Sequence, residues 1–139
     1  MTSAEIKKVV TYWQKTAAHD YETMVGLFRI KRYSDCLFFG HIVLEKILKA
    51  LVVLEIKKHA EYTHDLIKLA HEAHLPITTF ESKMLDTING FNIRTRYPEE
   101  KLEFYKLCTK SYTTKYLVFI KAFYLTICQI LKQNKQSEK

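Results

Sequence analysis

Apolar residues recur three and four positions apart from the start of the chain: Ile6, Val9, Val10, Trp13 and Ala17, then Met24, Leu27 and Phe28. That spacing places them on one stripe of an amphipathic helix. Thr2, with Glu5 three residues later, has the form of a capping box. No Gly-Pro stop interrupts the pattern, so a first long helix is predicted over about residues 3–30. The stretch KRYSD (31–35) reads as a short turn, with Ser34 as N-cap of the next helix. That second helix, over about residues 35–57, carries Leu37, Leu44, Ile47, Leu48 and Leu51 on one face.

After a loop at KHAEY, Thr63 is positioned to cap a third helix, HDLIKLAHEA, whose first turn holds Asp65, the sign that suits the helix dipole. Pro76 ends that segment, and Thr78 with Glu81 makes a second capping box for a fourth helix over about residues 79–92. Pro98 fits the first turn of a further helical segment, where its missing N–H is no loss. A last long helix is predicted over about residues 111–133, with residues 133–139 as a frayed tail. The predicted fold is all-α: one domain over residues 1–139, an up-and-down bundle of two long antiparallel helices and a long C-terminal helix, with shorter helices between. The last helix shows two apolar faces: Tyr116, Ile120, Phe123 and Ile127 on one, Leu117, Tyr124, Cys128 and Leu131 on the other. A small bundle buries one such face, which predicts a second chain against the other and hence a homodimer.

Composition agrees with helices. Three Gly and two Pro in 139 residues are too few for an all-β chain with frequent turns. The net charge of +7 is unevenly placed: residues 101–139 hold 8 Lys+Arg against 2 Asp+Glu, while residues 1–100 are almost balanced, 14 against 13. A basic last helix can track RNA or an acidic partner, or be a solvated face with spread lysines. Cys36, Cys108 and Cys128 are odd in number and sit among apolar neighbours, which reads as reduced thiols in a cytoplasmic protein. MTSAEIKK lacks the apolar region of a signal peptide. The greasiest run, Tyr116–Leu131, is 16 residues interrupted by Lys121, shorter than the roughly 20 of a bilayer span. No membrane span is predicted.

Candidate chemistry is sparse. His41, Glu45 and Lys49 lie four apart on the second helix and form a polar ridge, either a charged pocket wall or a surface ladder. His71 and His74, in HEAH, could supply two ligands of a metal, but no third or fourth is evident, so no metal site is assigned. The glycines at 26, 40 and 90 cannot build a phosphate-binding loop or a nucleophile elbow. Two of the four arginines, Arg94 and Arg96, stand directly before Tyr97-Pro98. One of them can pair with a carboxylate of the second helix such as Glu45, and the other can face a phosphate or an acidic partner. Arg96 is the one assigned to structure or pocket.

Taken in order, these features resemble the HEPN domain. The resemblance is carried by Trp13, Ala17 and Asp20; by Glu45, Lys46 and Lys49 within EKILKAL; by His64, Asp65 and Leu69 within HDLIKL; and by Arg96, Tyr97 and Pro98. It covers about residues 3–133. It implies a helical bundle that usually dimerises, often paired with a separate minimal nucleotidyltransferase in toxin–antitoxin-like arrangements, and in other members a metal-independent ribonuclease. The ribonuclease motif, an Arg, four to six intervening residues and a His, is missing here: that spacing from Arg29 and Arg32 falls on Ser34 to Phe39, and no His follows His74. No catalytic residue is therefore assigned. The resulting expectation is a non-catalytic nucleotide- and partner-binding protein with a cleft of His41, Glu45, Lys49, His64, Asp65, Arg94, Arg96 and Tyr97. It has no resident cofactor; the ligand would be a nucleotide such as ATP. The alternatives are a divergent ribonuclease, using His64 or His41 with Arg96, and a dimeric scaffold without a small ligand.

Overall fold

The computed structural model describes the backbone of residues 1–137 and the side chains of residues 1–134. Its elements are α1 (Ser3–Arg29), α2 (Tyr33–Ile56), α3 (Leu66–Glu72), α4 (Thr79–Arg94), α5 (Pro98–Leu107) and α6 (Lys110–Ser137), with no strand among the described residues. The all-α bundle is as the apolar periodicity predicts. α6 continues to Ser137, so most of the expected tail is helical, and Glu138 and Lys139 lie outside the described residues.

Local chemistry sets the element ends. The Thr2 hydroxyl accepts from the Glu5 N–H at 3.1 Å, and at Thr78/Glu81 both halves of the capping box are made, at 3.1 and 2.9 Å. Two caps fall elsewhere than expected. α2 starts at Tyr33 with Arg32 as N-cap, not Ser34. Lys31, in the left-handed region at φ 63°, turns the chain at once, and the Arg32 N–H closes back on the Leu27 carbonyl at 2.8 Å. The turn is complete two residues earlier than a Ser34 cap requires. At α3 the cap is Asp65, whose Oδ1 accepts from the Ile67 and Lys68 N–H groups at 3.0 and 3.3 Å. The Thr63 hydroxyl is engaged instead by the Asp65 N–H at 3.2 Å.

α1 and α2 form a tight antiparallel hairpin, and α2 runs through the middle of the molecule against α1, α3, α4 and α6. The five residues predicted on its core face are buried, and so are Cys36, Val43, Ala50, Val52 and Val53, which makes α2 a core helix on nearly every side. α6 crosses it at Gly40: a Cβ there would lie 2.6 Å from Ile120 Cδ1, so the Ile120 side chain fills the space that glycine leaves open. Below this crossing Phe91 gathers Phe104, Tyr116 and Tyr112 at centroid distances of 5.1, 5.3 and 6.5 Å, joining α4, α5 and α6.

Both predicted faces of α6 turn inward, contrary to the expectation that one would be left for a second chain. Tyr116, Leu117, Ile120, Phe123, Tyr124, Ile127 and Leu131 are buried within this one chain and Cys128 partly so. A third, narrower stripe is exposed, with Val118 at 63% and Leu125 at 58%. By length and composition, Lys110–Asn134 is apolar enough to cross a membrane, a longer stretch than the 16-residue run considered from sequence. Here its inward face forms part of the bundle core.

Candidate functional site

The helical repeat brings His41, Glu45 and Lys49 onto one side of α2, one turn apart. The segment leading into α3 lies across them. His41 Nε2–H donates to the His64 carbonyl at 2.8 Å, and His64 Nδ1–H donates to Glu45 Oε1 at 2.6 Å. Lys49 Nζ donates to Glu45 Oε2 at 3.1 Å. Glu45 thus divides its two oxygens between a loop imidazole and an ammonium of its own helix. The Lys49 side chain is 7% exposed, and its ammonium sits 5.2 Å over the Trp13 ring and 5.7 Å over the Tyr62 ring. The ridge is a nearly buried network; the surface ladder that the spacing also allowed is not what forms.

The two histidines differ sharply. His41 is 1% exposed, and burial lowers its pKa below the ordinary imidazole value; the His64 carbonyl and Glu45 work against that shift, while the His64 and Arg96 charges add to it. A neutral ring that donates from Nε2 leaves Nδ1 as an acceptor, and that atom is buried with no hydrogen-bond partner. The His64 side chain is 43% exposed, and its Nε2 makes no hydrogen bond among the described residues.

The remaining sequence candidates fall into place around this pair. Asp65 Oδ1 also accepts from Asn89 Nδ2 at 3.0 Å, and Asn89 Oδ1 accepts from the Leu66 N–H at 2.9 Å, so Asp65 clamps α3 to α4. Arg94 is the packed arginine: it lies 5.2 Å over Phe104 and 3.6 Å from Glu100 of α5. Neither arginine pairs with Glu45, whose oxygens are already engaged; the structural role expected of Arg96 belongs to Arg94. Arg96 follows in a turn and is exposed, as is Tyr97. Its guanidinium makes no hydrogen bond or ion pair among the described residues, yet it lies near enough to oppose protonation of His41. Asp20 and Lys46 form a separate ion pair at 2.5 Å between α1 and α2.

His74 Nδ1 meets Glu55 at 3.3 Å, and no group of three or more His, Cys, Asp or Glu that could hold a metal occurs among the described residues. Cys36 and Cys108 are buried free thiols, each pushed up to about 12 by desolvation. Sequence reading did not single out Tyr62 or Asn89. Both are isolated residues without periodicity: Tyr62 meets Lys49 where the 60–65 segment crosses α2, and Asn89 gains its partners where the start of α3 meets α4.

The profile of the HEPN domain matches residues 10–131. No curated protein gives a significant match, and no solved structure does. With the match spanning all six helices and every residue of the Glu45 network, the chain belongs to the HEPN domain family, whose functions are related to nucleotides and RNA.

Proposed function

We propose that this protein is a non-catalytic HEPN-type binding protein that takes a nucleotide such as ATP. It works in the cytoplasm as a homodimer beside a separate minimal nucleotidyltransferase, in a toxin–antitoxin-like pair. The observation that carries the reading is the Arg96 guanidinium: exposed, and without a hydrogen-bond or ion-pair partner among the described residues, with its charge felt at the buried His41 ring. A planar fork with five donors in that setting suits phosphate oxygens. Tyr97, which follows it in the turn, is exposed as well. The absence of the Arg–His ribonuclease spacing supports binding over cleavage. The partner enzyme and the paired arrangement rest on family membership.

Thermal unfolding in millimolar ATP tests the reading. Ligand at a hundred times its Kd adds about 2.7 kcal/mol, a shift of several degrees for a domain of this size. The wild-type midpoint is expected to rise and that of Arg96→Ala to stay fixed. No rise in the wild type rejects nucleotide binding.

A second reading, ribonuclease activity with a divergent site, has one observation in its favour. Glu45 orients His64 at 2.6 Å while Nε2 remains accessible, the geometry of a general base held by a carboxylate. Incubation with total RNA decides it: cleavage that disappears in His64→Ala and in Arg96→Ala establishes the activity, and intact RNA throughout excludes it.

A further inference from the structure

A groove separate from Arg96 opens at the start of α1, beside the segment that leaves α2. It is open to solvent, has a volume of about 480 Å³, and is lined by Glu5, Lys8, Tyr12, Trp13 and His59, with Met1 and Val9 as its apolar walls. That volume falls within the range of small-molecule pockets, about 300–1,000 Å³. Tyr12 and Trp13 meet edge to face, with centroids 5.1 Å apart and planes at 66°, so two differently oriented aromatic walls stand side by side. Tyr12 is 58% exposed. Trp13 also connects the groove to the Glu45 network, because the Lys49 ammonium sits over its ring. Lys8 makes no hydrogen bond or ion pair among the described residues, leaving its charge available to a ligand. The family match begins at residue 10, so Glu5, Lys8 and Val9 lie ahead of it, and the groove is not given by the matched region alone.

We propose that this groove holds the nucleobase and sugar of a nucleotide ligand; the inference rests on the nucleotide-binding reading above and gives that ligand its base site. Aromatic walls accept any base by its π-face. Lys8 attracts the phosphate that follows the sugar, and the Glu5 carboxylate accepts from a ribose hydroxyl or an exocyclic amine. The ligand is either a nucleoside triphosphate or a short single strand of RNA, two sources of the same base and ribose chemistry.

Trp13 is the chain's single tryptophan, so its emission reports on this groove. Titrations with AMP, ATP, ribose 5-phosphate and a short oligoadenylate, followed by Trp13 fluorescence, test the assignment. The base-containing ligands are expected to change the emission and ribose 5-phosphate is not. Tyr12→Ala, at an exposed position and checked for unchanged helical circular dichroism, is expected to raise the midpoint about five-fold or more. The tighter of ATP and oligoadenylate identifies the source of the base. No change with any base-containing ligand, or a midpoint unaltered in Tyr12→Ala, overturns the proposal. If the ATP-induced, Arg96-dependent rise in unfolding temperature persists in that case, nucleotide binding stands and only the groove is lost; if it is absent too, both fall.

Discussion

At His41 the environment fixes a protonation state. The ring is buried, donates from Nε2 to a backbone carbonyl, and resists a proton because charging it would bring an ion into the core. The unfolded chain takes up that proton near the ordinary value of 6.5, whereas the folded chain does so only at lower pH. Below about pH 6.5 the unfolded state therefore binds more protons, and stability falls as the pH falls. The expected result is an unfolding midpoint that drops between pH 7.5 and 5, with a shallower drop in His41→Gln, measured by circular dichroism. Glu45 gives a second prediction at this scale. Glu45→Gln leaves the nearly buried Lys49 ammonium without its counter-charge and is expected to cost about 3 kcal/mol in urea unfolding. Replacing the pair together, as Glu45→Gln with Lys49→Met, is expected to cost less than that single change, because no uncompensated charge remains.

Between elements, the closest approach lies where α2 meets α6. Gly40→Ala puts a methyl group 2.6 Å from Ile120 Cδ1, the far end of a buried side chain that must turn aside to receive it. Overpacking of this kind costs about 1–3 kcal/mol, partly offset by the better helix propensity of alanine. Ile120→Val removes the clashing atom and alone costs about 0.5–1.5 kcal/mol. The double variant is expected to be more stable than the sum of the two single changes, and a denaturant double-mutant cycle measures the coupling. Strict additivity would place the contact elsewhere. The helix ends make a related point. Thr78/Glu81 and Pro98 act where their sequence signature puts them, whereas Ser34 and Thr63 do not. At α3 two residues competent to cap stood close together and the path of the chain selected Asp65, whereas α2 starts after Arg32 with no side-chain cap at all.

The whole molecule encloses both sequence-predicted faces of α6 and leaves Val118 and Leu125 outside, with Ala122 one turn between them. Val118, Ala122 and Leu125 step by four and three, the spacing of a helix–helix seam, with Lys115 and Gln129 at its two ends. If the proposed homodimer uses this stripe, light scattering will give twice the chain mass for the wild type and the single mass for Val118→Glu/Leu125→Glu. A wild-type monomer at tens of micromolar would remove the dimer from the functional reading. The bundle also separates two kinds of cation: Lys49, held between Glu45 and two rings, and Arg96, left in solvent. Their residue types and spacing in the chain do not distinguish these fates.

Apolar periodicity, sparse glycine and proline, and capping signatures were enough to determine an all-helical chain and nearly all its helix positions, because those signals act through neighbours within a turn or two. The motif residues His41, Glu45, Lys49 and His64 were likewise legible, three of them from spacing on one helix. What the tertiary structure decided is which groups meet. His64 reaches Glu45 only because the chain after α2 folds back over it, Arg94 packs on Phe104 only once α5 docks, and Trp13 faces Lys49 only through the α1–α2 hairpin. These contacts join residues many positions apart, and their energy depends on burial, which no local pattern specifies.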